Sequence, residues 1–170
     1  ARGDEEAKWD AVCAKKRGLV VLTKDLNDGE AWDIREEHGR KNGTTVPTPA
    51  GIAFYRRLRM WVYGLMTMDE KGMMPPCPDT LVAQKHFEEA AWVRVNLKKV
   101  PGGSTVSNAV LEKYVDEFQD LLLQQLSLYA EASIYIDCAH HEGQALLSEL
   151  YPDLRAFGTD DDPWIYYSEK

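Results

Sequence analysis

Apolar positions along this chain recur mostly at three- and four-residue steps, the spacing that lines one face of an α-helix. Residues 4–17 (DEEAKWDAVCAKKR) place acids in the first turn and bases in the last, an order that complements a helix dipole, and Gly18 ends them. The run Leu19, Val20, Val21, Leu22 is strand-like, yet short and isolated enough that no sheet is required by it. Asn27 or Asp28 caps a second expected helix carrying Ala31, Trp32 and Ile34 and ending at Gly39, before a surface loop, RKNGTTVPTP. Thr48 as N-cap and Pro49 at the first helical position open a third, whose Ile52, Phe54, Tyr55, Leu58, Trp61, Val62, Leu65 and Met66 form one broad apolar face. Gly72 and MMPPCP stop it. Asp79 or Thr80 caps a fourth, with Leu81, Phe87, Ala90, Ala91, Val93 and Leu97 turned inward, closing at Val100, Pro101, Gly102 and Gly103. From Ser104 or Thr105 to Ala139 no Gly or Pro intervenes, so this stretch (105–139) is one long helix or a tight two-helix hairpin. Gly143 precedes a short helix through Leu150, and the tail is irregular or briefly helical. The pattern predicts one all-α domain over residues 1–170, about six to eight helices stacked as helical hairpins.

Composition narrows the function classes. The net charge of −8 sets the chain against tracking a phosphate backbone and suits a protein partner. No apolar run approaches the ~20 residues of a membrane-spanning helix, so no membrane insertion is expected. Cys13, Cys77 and Cys138 are odd in number and far apart, which points away from a disulfide framework and towards a reducing compartment. The first residue is Ala1 and not Met, as after removal of a leader.

Turn glycines at Gly39, Gly72 and Gly103 are separated by 33 and 31 residues, a period typical of helix–turn–helix repeats. Met68, Asp69, Glu70, Lys71, Gly72, Met73, Met74 and Pro75, followed by Pro78, Asp79 and Thr80, resemble the end of a pentatricopeptide repeat; Ala14, Lys15, Lys16, Arg17 and Gly18 form a weaker echo. The unit departs from that pattern in two extra residues between Pro75 and Asp79 and in Trp61, where a small packing residue is expected. Taken whole, the chain is similar to the pentatricopeptide-like accessory subunits of the trypanosome and euglenid mitochondrial ATP synthase. That resemblance implies a matrix location, peripheral to the inner membrane, and attachment to the outside of the catalytic head at the non-catalytic alpha subunit. It also implies that RNA binding has been lost, so no nucleic acid is expected.

Candidate chemistry is sparse, and neither a catalytic residue nor a cofactor is expected. Asp137, Cys138, His140, His141 and Glu142 include pairs three apart that share a helical face, as metal ligands often do, but the remaining ligands are lacking and a polar helix end accounts for them. Gly102, Gly103, Ser104 and Thr105 precede a helix whose N–H groups suit a phosphate, without the lysine of a phosphate-binding loop. Lys15, Lys16 and Arg17, and Arg56, Arg57 and Arg59, suit RNA or an acidic partner. Trp164, Ile165, Tyr166 and Tyr167 form an aromatic tail that serves as a partner-binding hot spot, together with Arg56 and Arg59, or folds back to cap the last hairpin. The expected function is a non-catalytic accessory subunit; the alternatives are an organellar RNA-binding repeat protein and a small helical metalloprotein using His140 and His141.

Overall fold

The computed structural model describes residues 5–24, 40–41, 44–45, 53–69, 71–76, 79–100, 106–139, 141–157 and 164–167. Helix α1 is Glu5–Ala14, α2 Ala53–Thr67, α3 Thr80–Glu89, α4 Asn108–Glu117, α5 Gln119–Ser127 and α6 His141–Leu150. The strands are β1 Leu19–Thr23, β2 Arg40–Lys41, β3 Thr44–Thr45, β4 Val93–Asn96, β5 Ile134–Asp137, β6 Arg155–Phe157 and β7 Trp164–Tyr167. The chain divides into two compact units, Ala1–Arg17 with Trp32–Trp92, and Gly18–Ala31 with Val93–Lys170.

The expected all-α array is therefore wrong: the chain is an α/β mixture built on a parallel sheet. The second unit holds a five-stranded sheet in the order β4-β1-β5-β7-β6, with β1 parallel to both β4 and β5 and the β6–β7 hairpin antiparallel. The physical reason lies in β1 and β5. All five residues of β1 and all four of β5 are buried, so neither strand alternates between apolar and polar, the signature expected of a strand with one wet face. Val93 and Leu97, assigned to a long fourth helix, instead belong to β4 and its extension, where Leu97 N–H donates to Thr23 O (2.8 Å). The stretch 105–139 is neither one helix nor a simple hairpin. Phe118 interrupts it between α4 and α5, and its last part turns to become β5. The irregular tail contributes β6 and β7.

In this unit the core is carried by Leu19, Val20, Val21 and Leu22 of β1, Tyr135 and Ile136 of β5, and Leu111, Leu122, Leu126, Leu146 and Leu147 from the helices, all buried. Ser107 caps α4, its hydroxyl accepting from Val110 N–H.

In the first unit α2 packs on α3, and Tyr55, Leu58, Val62, Leu65, Ala83 and Phe87 are buried. Asp79 caps α3 by accepting from Val82 N–H at 2.9 Å, as its position in the sequence predicts. α1 closes with Lys16 in the left-handed conformation (φ 54°), two residues before the expected stop at Gly18. Arg17 then donates to the carbonyls of Leu65 (3.1 Å) and Met68 at the C-terminal end of α2, satisfying oxygens that the helix cannot. The Met68–Met74 turn is shaped by Asp69, whose Oδ1 accepts from Lys71 N–H and Met73 N–H, and by Gly72 at φ 77°. The glycine turn is thus a helix stop with an Asx turn, in a unit that also carries the short antiparallel pair β2–β3.

Candidate ligand-binding edge

β1 lies between two parallel neighbours, and the chain visits β4 first and β5 second. This order puts a topological switch point beside β1, and open α/β sheets bind ligands outside the carboxyl ends of strands at such a point. A group of polar side chains from β1 and β4 lies at that edge. Register pairs Thr23 with Asn96 and Val21 with Arg94, so Thr23, Arg94 and Asn96 share one side of the sheet. Arg94 Nε donates to Thr23 Oγ1 (3.1 Å) and Asn96 Oδ1 (3.2 Å), and the Thr23 hydroxyl donates to the same amide oxygen. Asp137, paired in register with Leu22, belongs to the opposite side and is fully buried. Its Oδ1 accepts from Ala139 N–H at 2.8 Å, and the first turn of α6 closes onto the carboxylate at Gly143, where a Cβ would collide with it.

Cys138 follows Asp137, and its N–H extends the ladder to Leu22 O (2.9 Å). Burial, reinforced by the Asp137 carboxylate, pushes its thiol up to about 12, against a smaller opposite effect of Arg94. It is a protonated, inert thiol at neutral pH.

Past the strand ends stand three lysines. Lys98 is buried, its N–H donating to Lys24 O and its Nζ to Val100 O. Lys24 Nζ donates to Asn108 Oδ1 at 3.2 Å, at the start of α4. Lys99 Nζ donates to Asn96 O and to Gln125 Oε1 of α5 (2.5 Å), while its N–H donates to Tyr114 OH of α4 (3.2 Å). Loss of water around this amine lowers it to about 8. Among the described residues, Lys24 and Lys99 are held by neutral oxygens and by no carboxylate.

The sequence-predicted residues are scattered. Arg56 is exposed on α2, whereas Arg59 is 2 % exposed, with its guanidinium on Gln84 Oε1, so it is no part of an outer docking face. Trp164, Ile165, Tyr166 and Tyr167 are β7, bonded on both sides within the sheet, and not a free tail. Of the residues in the alternative metal reading, Asp137 is buried, Cys138 half-buried and His141 exposed, and His140 lies outside the described residues; among those described, no group of three or more candidate ligands converges. Gly102, Gly103, Ser104 and Thr105 lie outside the described residues, as does Cys77. Lys15, Lys16 and Arg17 follow the end of α1, with Arg17 engaged on the C-terminal end of α2. No helix among the described residues is long and apolar enough to cross a membrane. Thr23, Arg94, Asn96, Lys24 and Lys99 were missed because their grouping depends on the parallel register; the only local signal was the unbroken run at 19–22 ending in Thr23 and Lys24. No family model, no curated protein and no solved structure matches this chain.

Proposed function

We propose that the second unit is a binding domain for a small phosphate-bearing molecule, held outside the carboxyl ends of β4, β1 and β5. One observation carries it: in a chain of net charge −8, Lys24 and Lys99 stand at the switch-point edge with only neutral oxygens as described partners. An ammonium group so placed has donors left for an oxyanion, and a charge-assisted hydrogen bond of this kind contributes about 1.5–3 kcal/mol. The test is calorimetric titration with ethyl phosphate at pH 7.5. Saturable binding that weakens with salt is expected, with about a tenfold loss of affinity in Lys24→Gln. Absence of saturable binding overturns the proposal.

A second reading, a protein-docking accessory subunit, is favoured by a separate observation in the first unit: Met73, Met74, Leu81 and Val82 are 66, 54, 80 and 47 % exposed within ten residues. The specific expectation, attachment to an ATP synthase alpha subunit in the mitochondrial matrix, no longer has stacked helical hairpins beneath it and rests on these side chains and the acidic charge. Its test is affinity purification of the native protein. Recovery without any ATP synthase subunit removes that partner.

A further inference from the structure

All five methionines of the chain, Met60, Met66, Met68, Met73 and Met74, fall between residues 60 and 74, along α2 and in the turn after it. Met60, Met66 and Met68 are half-buried, whereas Met73 and Met74 are exposed, so an oxidant in solution meets the last two first. These two differ in how they are held. Met73 is fixed through its backbone: its N–H donates to Asp69 Oδ1 (2.8 Å), and its carbonyl accepts from Asp69 N–H (3.0 Å). Met74 is seated by its side chain. Gly64 is buried in α2, and a Cβ placed on it would meet Met74 Sδ at 3.1 Å, Cγ at 3.9 Å and Cε at 4.0 Å. Only the missing side chain of Gly64 makes room for that thioether, which rests on the helix backbone on one side and faces water on the other.

We propose that Met74 is a reversible oxidation site, and that its sulfoxide releases the turn after α2 from its seat on Gly64. Hydrogen peroxide is the oxidant: the sulfur electron pair attacks one oxygen, the O–O bond breaks, the S–O bond forms, and the second oxygen leaves as water with both protons. A thioether is apolar and packs against Gly64, but a sulfoxide oxygen is a strong acceptor. The N–H groups of α2 around Gly64 are committed within the helix, so the seat supplies no donor from the backbone. An oxygen on the inward lone pair has no room there. One on the outward lone pair is hydrated and draws the side chain away. The site lies in the first unit and is independent of phosphate binding.

Lys71 is exposed in the same turn, its N–H bonded to Asp69 Oδ1, so tryptic cleavage after it reports the turn opening. Native protein is treated with hydrogen peroxide, sulfoxides are located by peptide mass spectrometry, and cleavage after Lys71 is timed. The expected result is oxidation of Met73 and Met74 ahead of Met60, Met66 and Met68, with cleavage about tenfold faster. Methionine sulfoxide reductases acting on both epimers restore the slow rate. Met73→Leu keeps the rise, whereas Met74→Leu, close to methionine in volume, removes it. A sulfoxide at Met74 that leaves the cleavage rate unchanged overturns the release, and a rate that the reductases do not restore overturns its reversibility. Both of these readings use the unaltered protein and stand whether or not the leucine variants fold. A rise that persists in Met74→Leu overturns the assignment to this residue. Resistance of Met74 to peroxide that oxidises Met73 overturns the site itself.

Discussion

At the scale of single residues, the closest constraint in the second unit is the approach of Gly143 to Asp137. The carboxylate is fully buried and tied to Ala139 N–H, so it has no room to yield to a methyl group at position 143. Gly143→Ala is expected to destabilise the protein by about 3 kcal/mol, at the upper end of overpacking costs. If that collision is the cause, Asp137→Ala combined with Gly143→Ala costs less than the two single changes added together, a non-additivity measurable by urea unfolding. Strict additivity rejects the contact. Cys138 gives a second residue-level outcome. With its thiol at about 12 against an ordinary 9.0, the reactive thiolate at pH 8 is about a thousandfold scarcer than in an unfolded chain. Mass-spectrometric mapping after iodoacetamide treatment therefore finds Cys138 unmodified in native protein and modified in urea. Rapid native labelling contradicts its burial.

At the scale of elements, the sequence exposes those whose signal is local and hides those whose partners are distant. Asp79 announces α3 because a cap acts within three residues, and the apolar face of α2 is legible because its period repeats four times. β1 is as apolar as any segment, but a strand buried on both faces is recognised by its neighbours, and these lie more than 70 and 110 residues away. β4 is harder still: Val93 and Val95 alternate with Arg94 and Asn96 over only four residues, directly after a helix. The candidate edge inherits this difficulty, since Thr23 and Asn96 meet only once the parallel register is set. Conversely, the aromatic run at 164–167 looks like a docking tail in isolation and is an interior strand once β5 and β6 flank it. Ile165 lies opposite both Ile136 and Phe157, so a proline there removes a donor from the middle of the sheet. Ile165→Pro should cost on the order of 3 kcal/mol of stability, or prevent folding. A free tail would tolerate it with an unchanged melting temperature.

At the scale of the whole molecule, four described groups bear on how stability depends on pH; one of them, Tyr151, raised by burial against its hydrogen bond with Tyr135, adds only to the fall in stability above pH 10. His86 in the first unit packs edge-on against Tyr63, and its buried Nδ1 has no hydrogen-bond partner among the described residues; burial lowers its affinity for a proton, with Glu89 opposing. An unfolded histidine takes up its proton near 6.5 and the folded one only at lower pH, so the stability from neutral His86 is complete above 6.5 and declines below it. Lys99 is also lowered, to about 8 from 10.5. Between these values the unfolded chain carries the extra proton, and stability rises as pH increases. Lys99 is exposed as a residue, so solvent screening keeps that rise shallow. Cys138 is raised, so from 9.0 to about 12 the folded chain holds the extra proton and stability falls as pH increases. From pH 8 to 9 Lys99 acts without opposition from the thiol, and above 9 the two oppose each other. Urea midpoints in the absence of phosphate should therefore fall below pH 6.5, rise gently from 8 to 9, and lose that rise at higher pH. His86→Gln should flatten the acid limb and Lys99→Gln the gentle rise, each without altering the other. A rise that persists in Lys99→Gln assigns it to another group.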